Sequence, residues 1–206
     1  MLLLTTLLGA PALAGAPEAN VTYALEMMAL DLGRLDDALE DYAFTPVGRR
    51  PLFSHAVRGT LVFDDTIWAG LNARTAASIR GRDAAVPTVV QATWMGVYGA
   101  YTVMDTMPGG GTLRVGGDLG VATLTEAVGS AVQAGRLAYA GPYLQPRATW
   151  RVLTGPAVVD VTAGWMFHTP TGSAHDNPLW EEPFDRGLIQ GPTLSIHSGM
   201  TTGGWQ

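Results

Sequence analysis

Two groups of residues in this chain have the types and spacing for chemistry. The first is the run His168-Thr-Pro-Thr-Gly-Ser173-Ala-His175-Asp176. A serine whose proton a neighbouring histidine can take is an ordinary nucleophile, which makes His168, Ser173 and His175 a candidate catalytic set. The same histidines with Asp176 are also metal-ligating types, but their spacing matches no closed ligand signature. Pro170 and Gly172 suit a plain loop equally well. The expectation is therefore no catalysis, no metal and no cofactor. The second group is a scatter of charges, namely Glu26, Arg58, Arg74, Arg114, Asp118, Arg147, Arg151 and Asp160, accompanied by Gln91, Gln145 and His197. Each falls on the polar parity of an alternating segment, so the fold would gather them inside. Charges removed from water together must pair. A polar plug is the structural reading, and a narrow anion path lined by arginine is the functional one. A third cluster, Asp36, Asp37, Glu40 and Asp41, could hold divalent cations or form the solvated face of a short helix.

The segment that organises these residues is 141–170. Tyr143, Gln145, Arg147, Thr149 and Arg151 alternate with Leu144, Pro146, Ala148, Trp150 and Val152, and beyond Thr154-Gly155-Pro156 the residues Asp160, Thr162 and Gly164 alternate with Val159, Val161, Ala163, Trp165 and Phe167. A period of two gives each strand one polar and one apolar face. With Gly155-Pro156 as the loop, Arg151 faces Asp160 and Trp150 faces Val161.

The rest of the chain repeats the theme. Strands are expected around 21–29, 55–63, 66–76, 86–104, 112–124 and 188–200. A two-residue turn at Asp64-Asp65 would set Leu61 against Trp68 and Val57 against Asn72, so a three-residue loop that includes Thr66 is expected. In the fourth strand Val90, Ala92 and Trp94 alternate with Gln91 and Thr93, which puts Gln91 on the inward face. Only Arg34 to Phe44 changes period, with Leu35, Ala38, Leu39 and Tyr42 spaced for a short amphipathic helix. Loops are expected at 78–85, 125–135 (a small-residue stretch that could be helical) and 169–186.

Composition narrows the class further. Charged residues make up 15% of the 206, against roughly 25% in an ordinary soluble domain. Mean hydropathy is nevertheless positive, at +0.17. No run of about 18 apolar residues is available for a spanning helix, so the apolar surplus is spread through short alternating segments. The net charge is −6, and all 12 basic residues are arginine. An acidic balance argues against nucleic acid, whose phosphates need a basic face. With no cysteine there is neither a disulfide nor a thiolate site. Residues 1–16 (MLLLTTLLGAPALAGA) read as a secretory signal peptide, although a basic n-region is missing. Residues 17–206 read as a single domain.

Connections after the second, fourth and sixth strands are short, and those after the first, third, fifth and seventh are long. In an up-and-down barrel this gathers the long loops at one end, as in outer-membrane barrels. Aromatic residues on the apolar face mark two girdles, Tyr23, Phe63 and Trp150 towards the short turns and Trp165 and Phe167 towards the long loops. The chain thus resembles the small bacterial outer-membrane barrels of the OmpA/OmpX type, over residues 21–200. The stretches GRLDDALEDYAF and GPTLSIHSGM also resemble uncharacterised outer-membrane barrel proteins. The resemblance implies an all-β, eight-stranded antiparallel transmembrane barrel with a short helix in an outer loop. It also implies lipid bilayer and lipopolysaccharide as partners, an outer-membrane location, and a structural or surface-interaction role. Some such barrels are lipid A deacylases or acyltransferases that use His with Ser, so His168, Ser173 and His175 carry the alternative reading of a lipid-modifying enzyme. A soluble exported ligand-binding barrel is a further alternative. Such chains usually end on an aromatic residue, whereas here the last strand ends either near Met200 or at Trp205.

Overall fold

The computed structural model describes residues 18–32, 51–63, 66–80, 88–107, 111–128, 135–154, 157–175 and 187–202. The strands are β1 (Glu18–Met28), β2 (Leu52–Phe63), β3 (Ile67–Arg80), β4 (Thr88–Met107), β5 (Gly111–Val128), β6 (Gly135–Thr154), β7 (Ala157–His168), β8 (Gly172–His175) and β9 (Ile189–Thr201). Neighbours run β5-β4-β3-β2-β1-β9-β7-β6, and β6 pairs back onto β5. Every pairing is antiparallel. The sheet therefore closes on itself as a barrel with eight staves. The short β8 is the continuation of β7 along β6. Where the ladder breaks between them, the Thr169 amide still donates to the Pro142 carbonyl (3.0 Å) and the Thr171 amide to that of Ala140 (2.9 Å).

Register follows the turn chemistry. Arg151 pairs with Asp160 and Trp150 with Val161. The β2–β3 connection has three residues, since Phe63 pairs with Ile67 and the Thr66 amide donates to the Phe63 carbonyl. Leu61 then faces Ala69 and Val57 faces Ala73, so apolar meets apolar.

Several expectations are corrected. β3 runs to Arg80 and β5 to Val128, while β6 begins at Gly135, so 78–80, 125–128 and 135 are strand rather than loop, and the remainder of both stretches lies outside the described residues. The 169–186 stretch contains β8. β9 ends at Thr201. Gln91 points outward and is exposed, and Val90, Ala92 and Trp94 are the buried residues of that part of β4. No helix occurs among the described residues. The leader at 1–16, the 34–44 segment with its acidic cluster, and Trp205 lie outside them.

The reason for the Gln91 error is a change of face along the staves. Towards the short turns, the outward residues of β3 to β6 are Leu71, Val97, Leu119 and Leu144, all exposed, while Asn72, Arg74, Asp118 and Gln145 are buried inside. Towards the long connections the outward positions include Thr75, Thr93, Gln91, Thr123 and Arg136, with small residues such as Ala77 and Ala140 between them. The inward ones become Ala76, Trp94, Ala92, Val90, Ala122, Leu124, Tyr139 and Leu137, which pack into one cluster with Met28, Leu30, Leu52, Tyr143 and Met166. Period two holds across this crossing, while the inward face turns apolar and the outward face takes on polar residues among small ones. His55, Thr75, Thr93 and Thr123 are successive register partners on the outside and mark the crossing.

Every stave carries an exposed apolar residue at or below that line. Leu25, Val57, Leu71, Val97, Leu119, Leu144, Val161 and Ile196 form the belt, with Leu71 67% and Ile196 58% exposed. Leaving such side chains in water forgoes on the order of 1 kcal/mol or more each. Eight of them rival the whole stability of a typical domain, so the belt is built for an apolar surround.

Candidate functional site: a sealed polar interior

The interior is organised in layers. At the short-turn end Trp68 lies across the lumen, held by a hydrogen bond from its indole Nε1 to Thr102 Oγ1 (3.0 Å). The guanidiniums of Arg114 and Arg151 stack on its ring, 4.0 and 4.4 Å from the centroid. Both reach Asp160. Arg151 binds it through two hydrogen bonds, Nε to Oδ1 at 2.7 Å and Nη2 to Oδ2 at 3.0 Å, and Arg114 Nη2 lies 2.8 Å from Oδ2. Arg151 Nη1 also donates to Asn20 Oδ1 (3.0 Å). Thr149 and Thr162 bridge the two strands beside them (3.0 Å).

Above this sits a second network. Arg74 pairs with Glu26 (3.1 Å) and with Asp118 (3.0 Å), and Arg147 pairs with Asp118. Gln145 ties the layer together: its Nε2 donates to Glu26 Oε1 (3.0 Å) and to Thr193 Oγ1 (2.6 Å), and its Oε1 accepts from Arg147 (2.8 Å) and Arg74. Asn72 donates to Asp118 and accepts from the Tyr143 hydroxyl (3.1 Å). Arg147 has room because its register partners on both sides, Gly116 and Gly164, carry no side chain. Between the two networks Arg58 lies over the Tyr98 ring, 4.3 Å from its centroid. Apolar side chains led by Trp94, Tyr139, Leu137 and Met166 close the far end.

Glu26, Arg58, Arg74, Arg114, Asp118, Arg147, Arg151 and Asp160 are all buried inside the barrel. Two ring systems that organise them, Trp68 and Tyr98, were not singled out from the sequence. The available signal was that each shares its parity with inward residues, as Tyr98 does with Thr102.

The histidine–serine set is arranged differently. His168 is buried and faces inward, with no hydrogen-bond partner at Nε2. It pairs in register with Tyr143, whereas Ser173 pairs with Tyr139 and His175 with Leu137. Four residues of β6 separate the His168 and Ser173 rows, roughly 13 Å along the strand. Among the described residues no group of three or more His, Asp or Glu side chains could hold a metal ion.

A closed, eight-stave, all-antiparallel barrel with an apolar belt and a charged, filled lumen is the fold seen in the small β-barrels of bacterial outer membranes. Comparison with solved structures finds this fold. The chain is similar to Ail, the attachment invasion locus protein of Yersinia pestis, in its complex with the heparin analogue sucrose octasulfate (TM-score 0.59, 7% identity, covering 90% of this chain and 99% of that one). It is similar to Neisserial surface protein A at TM-score 0.57 and 9% identity, covering 89% of this chain and 96% of that one. No family model matches the chain, and no curated protein does. What is shared at these identities is the fold.

Proposed function

We propose that the protein is an outer-membrane barrel exported by its leader, with a surface-interaction role at the long-loop end and no catalysis. The observation that carries this is the exchange of faces along β3 to β6. It gives these strands a lipid-adapted lower part and an upper part with an apolar core and a polar outside, a stalk that lifts the long connections clear of the bilayer. The filled lumen supports a non-conducting role, with Trp68 and its stacked arginines towards one end and the apolar cluster towards the other. Lipid and lipopolysaccharide are the partners this geometry would meet first. In sequence, seven of the 12 arginines (34, 49, 50, 80, 82, 136 and 186) fall in the long connections or at the strand ends that flank them. Ail, a protein named for attachment and invasion, gives the role a precedent on the same fold.

The test is topological. A cysteine placed at Asp41 or Ser173 should react with an impermeant label on intact cells, and one at Asp64 or Gly110 should not. The protein should fractionate with outer membranes and migrate differently in SDS gels before and after boiling. Labelling at Asp64 on whole cells, or recovery as a detergent-free soluble monomer, would refute the reading.

A further inference from the structure

Inside the barrel the charges do not balance. Five guanidiniums, those of Arg58, Arg74, Arg114, Arg147 and Arg151, share the two networks with three carboxylates, Glu26, Asp118 and Asp160. Asp160 serves Arg114 and Arg151, Asp118 serves Arg74 and Arg147, and Glu26 serves Arg74. Glu126 lies in another layer, beyond Leu124 at the loop end. Arg58 forms no direct ion pair with any of the three, although it is only 4% exposed, and its Nε and Nη1 have no hydrogen-bond partner.

We infer that the barrel encloses a binding site for a small inorganic anion of halide type, held by Arg58 beside Tyr98. Four observations converge on the place. Arg147 brings a second guanidinium to the same ring, 5.9 Å from the Tyr98 centroid, and its Nε is also without a partner. The Tyr98 hydroxyl is buried and unpartnered. His197 Nδ1 is buried and unpartnered, while its Nε2 is engaged by Ser195 Oγ at 3.0 Å. His197 sits in register with Ala24 and Ala24 with Ala56, two residues from Arg58 on the same inward face. Those two alanines add only methyl groups beside the arginine.

The chemistry of this set is one-sided. The free guanidinium nitrogens can only donate, and the tyrosine hydroxyl and the histidine ring can donate too. Nothing there would hold a cation. Buried polar groups in native proteins almost always find partners, and water could meet the hydrogen-bonding need. Water would leave two positive charges uncompensated in a poorly polarisable interior, which is the larger cost. Stacking on Tyr98 eases the burial of Arg58 without cancelling its charge. One halide meets the donors and halves the excess, from two positive charges to one. Enclosure between the Trp68 layer and the Trp94–Tyr143 layer favours a halide over a bulky oxyanion, and it implies capture during folding followed by slow exchange.

The experiment is refolding into detergent in chloride or in gluconate at equal ionic strength, followed by urea unfolding. An ion bound only by the folded state raises the folding constant by the factor 1 + [L]/Kd, so well above Kd each tenfold rise in chloride should raise it nearly tenfold. Gluconate, too large to be enclosed, should act only as ionic strength. In Arg58→Met the difference between the two salts should vanish. Crystals of the wild-type protein grown in bromide should show an anomalous peak at hydrogen-bond distance from Arg58 Nε, a readout that survives even if the variant fails to fold. Equal unfolding midpoints in chloride and gluconate for the wild type, an undiminished salt difference in Arg58→Met, or bromide crystals with no peak at Arg58 would each overturn the site.

Discussion

Asp160 is the residue on which the lower network turns, because one carboxylate answers two guanidiniums. That makes its removal unequal to the removal of either partner. Asp160→Leu strands both Arg114 and Arg151 against Trp68 and should cost about 3–5 kcal/mol of unfolding free energy, the range for breaking a buried pair from one side. Arg151→Leu should cost less, since Arg114 still neutralises Asp160. The double variant should recover part of the loss, and a double-mutant cycle in detergent measures that coupling. Strictly additive losses would mean that the two side chains do not interact. The pair itself was legible in the sequence, because one hairpin with one short turn leaves little choice of register. Its enlargement by Arg114 and Trp68 was not, because those arrive from β5 and β3 across the lumen, and alternation says which face a residue takes but not whom it meets there.

Single strands were easy to read where their two faces differ in one constant sense, as in β7 and β9, and misread where the sense reverses. β4 shows why. Val90, Ala92 and Trp94 share parity with Tyr98 and Thr102, so one continuous strand carries apolar residues inward at one end and outward at the other. Reading each half by the same rule assigns Gln91 to the lumen, when it stands on the outer surface above the belt. The strand–strand spacing also limits which residues fit. At Gly164 an added side chain would press on the Pro146 carbonyl at 2.7 Å and on the Arg147 Cβ and Thr193 Oγ1 at 3.1 Å. Gly164→Val should therefore destabilise the barrel by about 1–3 kcal/mol through overpacking. Gly59, whose added Cβ would meet nothing within 4 Å, should tolerate Ala with a far smaller change. Urea midpoints of the two variants make the comparison, and equal losses would contradict the packing described.

For the molecule as a whole, inside and outside can be told apart by light. Trp150 and Trp165 are 38% and 44% exposed on the outer wall, whereas Trp68 and Trp94 are enclosed. In vesicles of brominated lipid, single-tryptophan variants retaining Trp150 or Trp165 should be strongly quenched, and those retaining Trp68 or Trp94 should keep their emission. Quenching of Trp94 would place the lipid on the wrong face of β4. The same vesicles should hold an ion gradient, because both ends of the lumen are filled; a steady conductance would show the plug to be open.

The pairing of β1 with β9 has a consequence in time. Ala19 and Thr202, joined across that seam, are 183 residues apart in the chain. Until β9 is in place, β1 and β7 each present an unpaired row of amides and carbonyls, which a hydrocarbon surround penalises by several kcal/mol per group. Half a barrel is thus no resting point in a bilayer, and a closure spanning nearly the full chain belongs to the slow class of folding events. Assembly must then be all-or-none and late, with the hairpins free to form early but unable to settle in the hydrocarbon. The strand that comes first in the barrel's sequence is among the last to have both of its neighbours.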